Sequence, residues 1–221
     1  MEEQTGLKKK NIKEPVCVTR ANGFIGSWLV RTLLDHGYTT IHASVFPGSD
    51  ASHLFALPGA ADPDVRLVVH EADVLDAKVV SNAVEGCADG GVFHVASQCS
   101  LEDPVDPQRE LVTPAVQGTL NVLAAAKMFN VRRVVVTSSI SALVPNPSWP
   151  SNTPFDESSW TDLDYVTRPR KINCVQTKSV GCPVVGNDIL RGLFCTSPCE
   201  VGQLFPISLQ FCKRLLKARE S

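Results

Sequence analysis

The stretch Thr19-Arg20-Ala21-Asn22-Gly23-Phe24-Ile25-Gly26 decides the fold of this chain. It follows a short β-branched run at residues 15–19 and precedes an amphipathic segment at residues 24–36, which Gly37 ends. This order predicts a strand, a glycine turn and a helix. Glycines in such a turn let backbone N–H groups approach a pyrophosphate, and the helix N-terminus favours the same anion. The stretch therefore indicates a dinucleotide-binding turn.

The alternation of strand and helix continues beyond this turn. Apolar runs predict further strands at residues 39–45, 65–74, 91–97 and 132–139, and amphipathic segments predict helices at residues 76–84 and 107–129. Such an alternation builds a parallel sheet with right-handed crossovers and a ligand crevice at the carboxyl ends of the strands. The predicted fold class is α/β, a Rossmann-type doubly wound parallel sheet.

Three segments differ in composition and pattern. Residues 1–13 are polar and are expected to form a flexible arm, whereas residues 14–165 carry the alternating pattern of an NAD(P)-binding domain. Residues 166–221 show no clean alternation, since glycine and proline interrupt their apolar runs. We expect this last segment to be an irregular tail.

Composition and charge indicate which classes of binding partner and which cellular compartment to expect. The net charge of −2 does not predict a nucleic-acid surface, and no apolar stretch is long enough for a membrane span. The first residues lack the apolar core of a secretory signal, so a soluble, cytoplasmic protein is expected. Cys195 and Cys199 have no partners at the spacing of a zinc finger, and no metal site is predicted.

Six motifs follow one another in a recognisable order. They are TRANGFIGSWLV (19–30), EADVLD (71–76), GVFHVAS (91–97), RELVTPAVQGTLNVL (109–123), RRVVVTSS (132–139) and FDESSWTDLDY (155–165). Together they resemble the extended short-chain reductases of plants, in particular the cinnamoyl-CoA reductase-like and dihydroflavonol reductase-like proteins. The resemblance implies a Rossmann fold, binding of NADP(H) or, less typically, NAD(H), and reduction of a carbonyl or CoA thioester on a small phenylpropanoid-type substrate.

The resemblance also assigns roles to individual residues at the cofactor. The family's TGxxGxxG motif falls on residues 19–26, with Arg20 in place of its first glycine. Asp73 corresponds to an acid that hydrogen-bonds the adenine, with a helix-capping carboxylate as the alternative interpretation. His94 is expected to be a packed strand histidine and not a catalyst. The cofactor-binding residues implied in this way are Thr19, Gly23, Phe24, Ile25, Gly26, Asp73, Val74, Val95, Ala96, Ser97 and Thr137.

The end of the fifth predicted strand carries the catalytic serine of such reductases. The alignment favours Ser139 over Ser138, and a serine there hydrogen-bonds the carbonyl of the substrate. The preference for NAD or NADP is usually determined at the end of the second strand, where an acid binds the ribose 2′-OH of NAD and an arginine binds the 2′-phosphate of NADP. Residues 44–48 offer neither group, so NADP preference follows from the resemblance alone.

These 221 residues lack the Tyr-x-x-x-Lys pair with which the family protonates the reduced carbonyl. Of the two tyrosines, Tyr38 is followed four residues later by His42 and Tyr165 by Pro169. We therefore expect the C-terminal part of the family fold to be missing and the chain to be inactive. The alternative is a non-enzymatic cofactor-binding protein, or a non-functional splice or gene-model product. The oligomeric state stays open.

Two further expectations concern affinity and packing. A side chain in place of the turn glycine at Arg20 is expected to strain the backbone and weaken cofactor binding. No helix that would cover the fifth strand on one side is recognisable after residue 139. Unless the tail from Ile172 to Leu216 takes the place of that helix, we expect apolar surface to be exposed around Val134 and Val136.

Overall fold

The computed structural model describes residues 14–97, 105–106, 108–137, 146–154, 159 and 162. Alternating strands and helices fill this part of the chain. The strands are β1 (Val16–Thr19), β2 (Thr40–Val45), β3 (Arg66–Glu71), β4 (Gly91–His94) and β5 (Val134–Val136). The helices are α1 (Phe24–Asp35), α2 (Ser52–Phe55), α3 (Ala77–Val84) and α4 (Thr113–Met128), the last preceded directly by a π-helical segment, Gln108–Val112.

The five strands form one parallel sheet in the order β3-β2-β1-β4-β5. The chain runs outward in one direction from β1 to β3 and then returns across β1 to β4 and β5. This reversal between β1 and β4 is the topological switch point of a Rossmann-type sheet, where ligands bind outside the carboxyl ends of the strands. The predicted α/β doubly wound fold is confirmed.

Helices cover both faces of the sheet, and strand alternation divides the apolar side chains between two cores. On one face Val16 and Val18 of β1 pack with α1 and α2. On the other face Cys17 of β1 packs with α3 and α4. The first helix contributes Val30 and Leu33 to its core, at the spacing of one helical face.

Three predicted elements are shorter in the structure than in the sequence pattern, and one helix was not predicted. Strand β3 ends at Glu71, β4 ends at His94 and β5 spans only Val134–Val136. Helix α2 lies within the connection that was predicted as irregular. β4 ends early because the Thr19 hydroxyl, and not a neighbouring strand, accepts the hydrogen bonds of the next two amides.

The expected exposure around Val134 was wrong. Val134 is 6% exposed and lies in the core beneath α3 and α4, with Val136 packed against that core. The sequence reasoning placed these two residues on the uncovered face, whereas α4 already covers the face to which they point. Val135, paired with Phe93, lies on the other face of the sheet.

The predictions of a flexible arm at residues 1–13, of a boundary at residue 165 and of an irregular tail at residues 166–221 concern residues outside the described part of the chain. Within the part that is described, no helix combines the length and apolar character needed to cross a membrane. The same residues bring together no three His, Cys, Asp or Glu side chains that could hold a metal ion.

Candidate functional site

The glycine turn connects β1 to α1 at the switch point, as the sequence predicts. The Gly23 amide donates to the Arg20 carbonyl at 3.0 Å, and the Ala21 amide donates to the Ser44 carbonyl at the end of β2 at 2.9 Å. Arg20 has φ +52°, in the left-handed region that glycine adopts without penalty and other residues rarely adopt. An arginine therefore occupies a backbone conformation suited to the glycine that such turns usually carry.

Gly23 and Gly26 are glycines because neighbouring atoms leave little or no room for side chains. A Cβ on Gly26 would lie 2.2 Å from the Arg20 carbonyl oxygen, so the start of α1 can pack this closely on the turn only without one. A Cβ on Gly23 would lie 3.3 Å from the same oxygen and 3.4 Å from Cγ of Arg20. The arginine side chain therefore runs over Gly23.

The N-terminus of α1 opens onto this turn. Gly23 is the N-cap and supplies no side-chain hydrogen bond, and the first turn holds no acidic residue. The first amides of a helix have no intrahelical partner and attract anions. Phe24 and Ile25, which carry two of these amides, are 73% and 36% exposed. The arrangement has the chemistry of an anion site formed by backbone N–H groups.

Thr19 joins β1 to the segment that follows β4. Its hydroxyl oxygen accepts from the amides of Val95 at 3.0 Å and of Ala96 at 2.9 Å, and the hydroxyl lies 3.0 Å from Nδ1 of His94. With both lone pairs engaged, the hydroxyl proton is donated to His94. These hydrogen bonds bring three of the predicted site residues together on the switch-point crevice: Thr19, Val95 and Ala96.

His94 is buried, which confirms the prediction of a packed strand histidine. Because Nδ1 accepts from Thr19, Nε2 carries the proton and donates to the Thr119 hydroxyl at 3.2 Å. Thr119 in turn donates to the Ala115 carbonyl at 2.9 Å. The ring thus fixes α4 against the ends of β1 and β4.

Two more predicted residues border the crevice. Ser97 presents its carbonyl to Nη1 of Arg20 at 2.7 Å. Thr137, just beyond β5, donates both its amide, at 3.0 Å, and its hydroxyl, at 3.3 Å, to the His94 carbonyl. Ser139 lies outside the described residues, two positions beyond Thr137.

Asp73 and Val74 stand apart from this cluster, beyond β3 and separated from β1 by β2. The Asp73 carboxylate accepts from the Leu75 amide at 2.9 Å, which forms a turn, while the carboxylate that caps α3 is Asp76. The alternative interpretation of Asp73 as a helix cap is therefore wrong. Val74 packs on α4, where a Cβ on Gly118 would lie 2.8 Å from its Cγ2.

Sequence reasoning missed two polar residues that hold loops at this edge of the sheet. Asn121, 8% exposed, donates to the Val74 and Leu75 carbonyls at 2.9 and 3.1 Å. Asn22 donates to the Ser49 hydroxyl at 3.0 Å and thereby ties the glycine turn to the loop after β2. An isolated asparagine on an otherwise apolar helix face was the available signal for Asn121.

The loop after β2 carries an apolar residue at the place where the preference for NAD or NADP is usually determined. Phe46 is 62% exposed, and its carbonyl accepts from the Ser49 amide at 3.0 Å and from the Ser49 hydroxyl at 2.5 Å. The carboxylate of Asp50 accepts from the amide and hydroxyl of Ser52, and these hydrogen bonds lower the pKa of Asp50. Asp50 therefore stabilises the start of α2.

The titratable groups that burial perturbs lie away from the crevice. Burial, followed by the neighbouring Cys87, raises the pKa of Cys17, and burial raises the pKa of Cys87 to about 12. Both cysteines are free thiols in the core. Burial, followed by the nearby His42, lowers the pKa of His70. None of these residues belongs to the predicted site.

Comparisons with known proteins agree with the architecture. The profile of the "NAD dependent epimerase/dehydratase family" matches residues 16–168. Cinnamoyl-CoA reductase 1 of Petunia hybrida is 44% identical over 161 residues, covering 72% of this chain and 45% of that protein. The bifunctional dihydroflavonol 4-reductase/flavanone 4-reductase of Malus domestica is 40% identical over 156 residues, covering 69% and 42%.

A solved structure is similar over the same region. Vestitone reductase from alfalfa, Medicago sativa, superposes with a TM-score of 0.63 at 31% identity, covering 78% of this chain and 51% of that one. The predicted resemblance to plant reductases is confirmed. The chain spans about half the length of the relatives that it matches.

Proposed function

Because this chain belongs to the NAD dependent epimerase/dehydratase family, we propose that it binds NADP(H) or NAD(H) across the carboxyl ends of β1 and β4. The observation that carries the proposal is the uncapped N-terminus of α1 at the switch point. Its first amides, which have no intrahelical acceptor, meet the requirement of a pyrophosphate for N–H donors at the positive end of a helix dipole.

The backbone of the turn fits such a cofactor. Gly26 allows α1 to begin directly against β1, and Gly23 offers a bare backbone beside the first amides. Thr19 holds the segment after β4 at the same edge, where Val95, Ala96 and Ser97 would lie beneath the nicotinamide half. Asp73, beyond β3, would contact the adenine half. The Arg20 side chain is the one group in the turn that a pyrophosphate would have to displace.

The reaction class proposed for the parent activity is reduction of a phenylpropanoid-type carbonyl or CoA thioester. A bound nicotinamide dinucleotide supplies the hydride for that reaction. Ser139 would donate a hydrogen bond to the oxygen of the substrate, and the oxyanion would need a proton from a positioned acid. The printed 221 residues contain no Tyr-x-x-x-Lys pair to supply it. We therefore propose that this chain binds cofactor and turns over slowly or not at all.

A calorimetric titration with NADPH and with NADH tests cofactor binding. The Arg20→Gly variant is the more sensitive form, because glycine relieves the left-handed strain and bares Gly23. We expect saturable binding by this variant. Failure of both nucleotides to bind to it, once it is shown to be folded, would contradict the proposal.

A second substitution locates the binding to α1. Phe24→Asp, in the Arg20→Gly background, places a negative charge beside the first amides at a side chain that is 73% exposed. The charge suits the helix N-terminus and should leave folding intact, but it should weaken dinucleotide binding on the order of tenfold or more. Met128→Asp, at a 59% exposed residue that ends α4 at the opposite edge of the sheet, is the matched control and should leave affinity unchanged.

A further inference from the structure

We propose that Arg20 closes the dinucleotide crevice with its own side chain, as a latch between β1 and the segment after β4 that a cofactor must open. The inference rests on the proposed dinucleotide site. In addition to the backbone strain at Arg20, the side chain makes a contact that competes with cofactor binding.

The position of Arg20 places its side chain across the crevice. The residue follows β1, and Ser97, whose carbonyl accepts from Nη1 at 2.7 Å, follows β4. The two strands are neighbours at the topological switch point, and α1 begins after the turn that follows β1. A guanidinium that bridges Arg20 to Ser97 therefore spans the path of a ligand bound at the switch point.

The aliphatic part of the Arg20 side chain covers Gly23, whose backbone should be accessible in a dinucleotide-binding turn. Cγ and Nε of Arg20 lie 3.4 and 3.6 Å from the place of a Cβ on Gly23. In a dinucleotide turn this glycine lets the backbone approach the pyrophosphate closely. Here the arginine stem takes the space that the absent side chain of Gly23 leaves.

The backbone holds the side chain in this direction. With φ +52° and its carbonyl bonded to the Gly23 amide, Arg20 is confined within the turn, and only side-chain rotation can open the crevice. Opening breaks the charge-assisted hydrogen bond to Ser97 before phosphate contacts form. Cofactor affinity is thereby reduced by two separable contributions, backbone strain and the latch.

Three substitutions separate these contributions. Arg20→Ala keeps a Cβ at the left-handed position and removes the latch. Arg20→Met keeps a stem over Gly23 and removes the donors, and Arg20→Gly removes strain, stem and donors together. We expect affinity for NADPH to rise from the parent through Met and Ala to Gly. The gain for Ala should be roughly threefold to tenfold, the equivalent of a solvent-exposed hydrogen bond.

The dissociation constants for NADPH and NADH are measured by calorimetry, and association rates by stopped-flow fluorescence of the reduced nucleotides. A faster association rate of Arg20→Ala than of the parent supports the latch, since the crevice then needs no opening. Equal affinity of Arg20→Ala and the parent overturns it. Weaker binding of Arg20→Ala also overturns it, because the guanidinium would then be a phosphate ligand.

The two proposals fail in different ways. If Arg20→Gly binds nucleotide while Arg20→Ala and Arg20→Met show no gain, the latch is wrong and the dinucleotide site stands. If folded Arg20→Gly binds neither NADPH nor NADH, the site itself is wrong and the latch falls with it. Thermal unfolding of each variant establishes that it is folded, and Arg20→Gly, freed of strain, should be the most stable.

Discussion

At the residue scale, the Thr19 hydroxyl holds the segment after β4 against the end of β1. It accepts from the amides of Val95 and Ala96, and Val95 is 7% exposed, so the Val95 amide has little access to water as an alternative acceptor. It also donates a hydrogen bond to His94, and His94 in turn donates to Thr119 of α4. A single small side chain therefore stabilises three elements around the candidate site.

The Thr19→Val substitution keeps the shape of the side chain and removes all three of these hydrogen bonds. We expect a loss of about 1–3 kcal/mol in the free energy of unfolding, because a buried donor is left without its acceptor. Urea unfolding measures the loss. Thr19→Ser retains the hydroxyl and should be affected less, so equal stabilities of the valine and serine variants would contradict the interpretation.

The surroundings of His70 should make the folding stability depend on pH. Its ring lies 5.0 Å, between centroids, from that of His42, and its Nε2 is buried with no hydrogen-bond partner among the described residues. His42 donates from Nδ1 to the Ala83 carbonyl of α3 at 3.0 Å. Protonation of His70 would place a charge on a partly buried ring, beside another imidazole, with no acceptor for Nε2 among the described residues.

Folding stability should therefore fall as the solution becomes acidic. The pKa of His70 is lowered in the folded protein, chiefly by burial and then by His42, relative to about 6.5 in an unfolded chain. The unfolded state then binds more protons. The contribution of His70 is present above the unfolded pKa and is lost as the pH falls through the folded pKa.

Replacing His70 by leucine should flatten the decline of stability below about pH 6.5, the pKa of an unfolded histidine. Urea unfolding of the parent and of His70→Leu at a series of pH values between neutrality and mild acid measures the difference. His53→Gln removes an exposed histidine from α2 and is the matched control. The dependence of its stability on pH should stay near that of the parent. Identical slopes for His70→Leu and the parent would contradict this account.

At the scale of elements, the starts of α1 and α3 differ in how their first amides are satisfied. Helix α1 begins at Gly23 without a side-chain cap, beside the candidate anion site. Helix α3, which packs on the other face of the sheet, is capped by Asp76, whose carboxylate accepts from the amides of Lys78 and Val79 at 2.9 and 3.3 Å. Of these two helices, the one without a side-chain cap faces the proposed ligand.

Removal of the cap on α3 should therefore cost stability. We expect Asp76→Ala to lower the free energy of unfolding by about 0.5–2 kcal/mol, the usual contribution of an N-cap. Asp76→Asn keeps an acceptor oxygen and should retain most of that stability. The comparison uses thermal and urea unfolding. An asparagine variant as unstable as the alanine variant would show that the hydrogen bonds of the cap are not responsible.

At the scale of the whole molecule, the described sheet and helices contain the proposed cofactor site, whereas the proposed reduction also needs an acid that this site does not supply. Positioned general acid–base groups contribute about 10²–10⁴-fold to a rate. We therefore expect the 221-residue chain to show no measurable NADPH-dependent reduction of cinnamoyl-CoA-type or dihydroflavonol-type substrates.

The decisive comparison grafts a helix that carries Tyr-x-x-x-Lys, with the domain that follows it in a plant reductase, after Tyr165. Both proteins carry Arg20→Gly, so that cofactor affinity does not limit the rate. We expect turnover from the graft and none from the ungrafted chain, and Ser139→Ala should abolish the activity of the graft. If the ungrafted chain reduces these substrates at a similar rate and Ser139→Ala abolishes that rate, the proposed inactivity is wrong.

The sequence by itself determined the order of the five strands and of helices α1, α3 and α4, the parallel sheet and the position of the glycine turn. These features depend on local information: the period of apolar residues within each segment and the turn chemistry between segments. Right-handed crossovers then leave few ways to arrange five such strands. For the same reason, the residues of the turn, from Thr19 to Gly26, can be identified from the sequence.

Only the tertiary structure decided what those residues touch. The bonds from Val95 and Ala96 to Thr19 join residues 76 and 77 positions apart, and the bond from Arg20 to Ser97 joins residues 77 apart. No local period encodes such a pairing, because it depends on how two strands meet at the switch point. The early end of β4, the contact of Arg20 with Ser97 and the burial of Val134 beneath α3 and α4 are decided by that same packing.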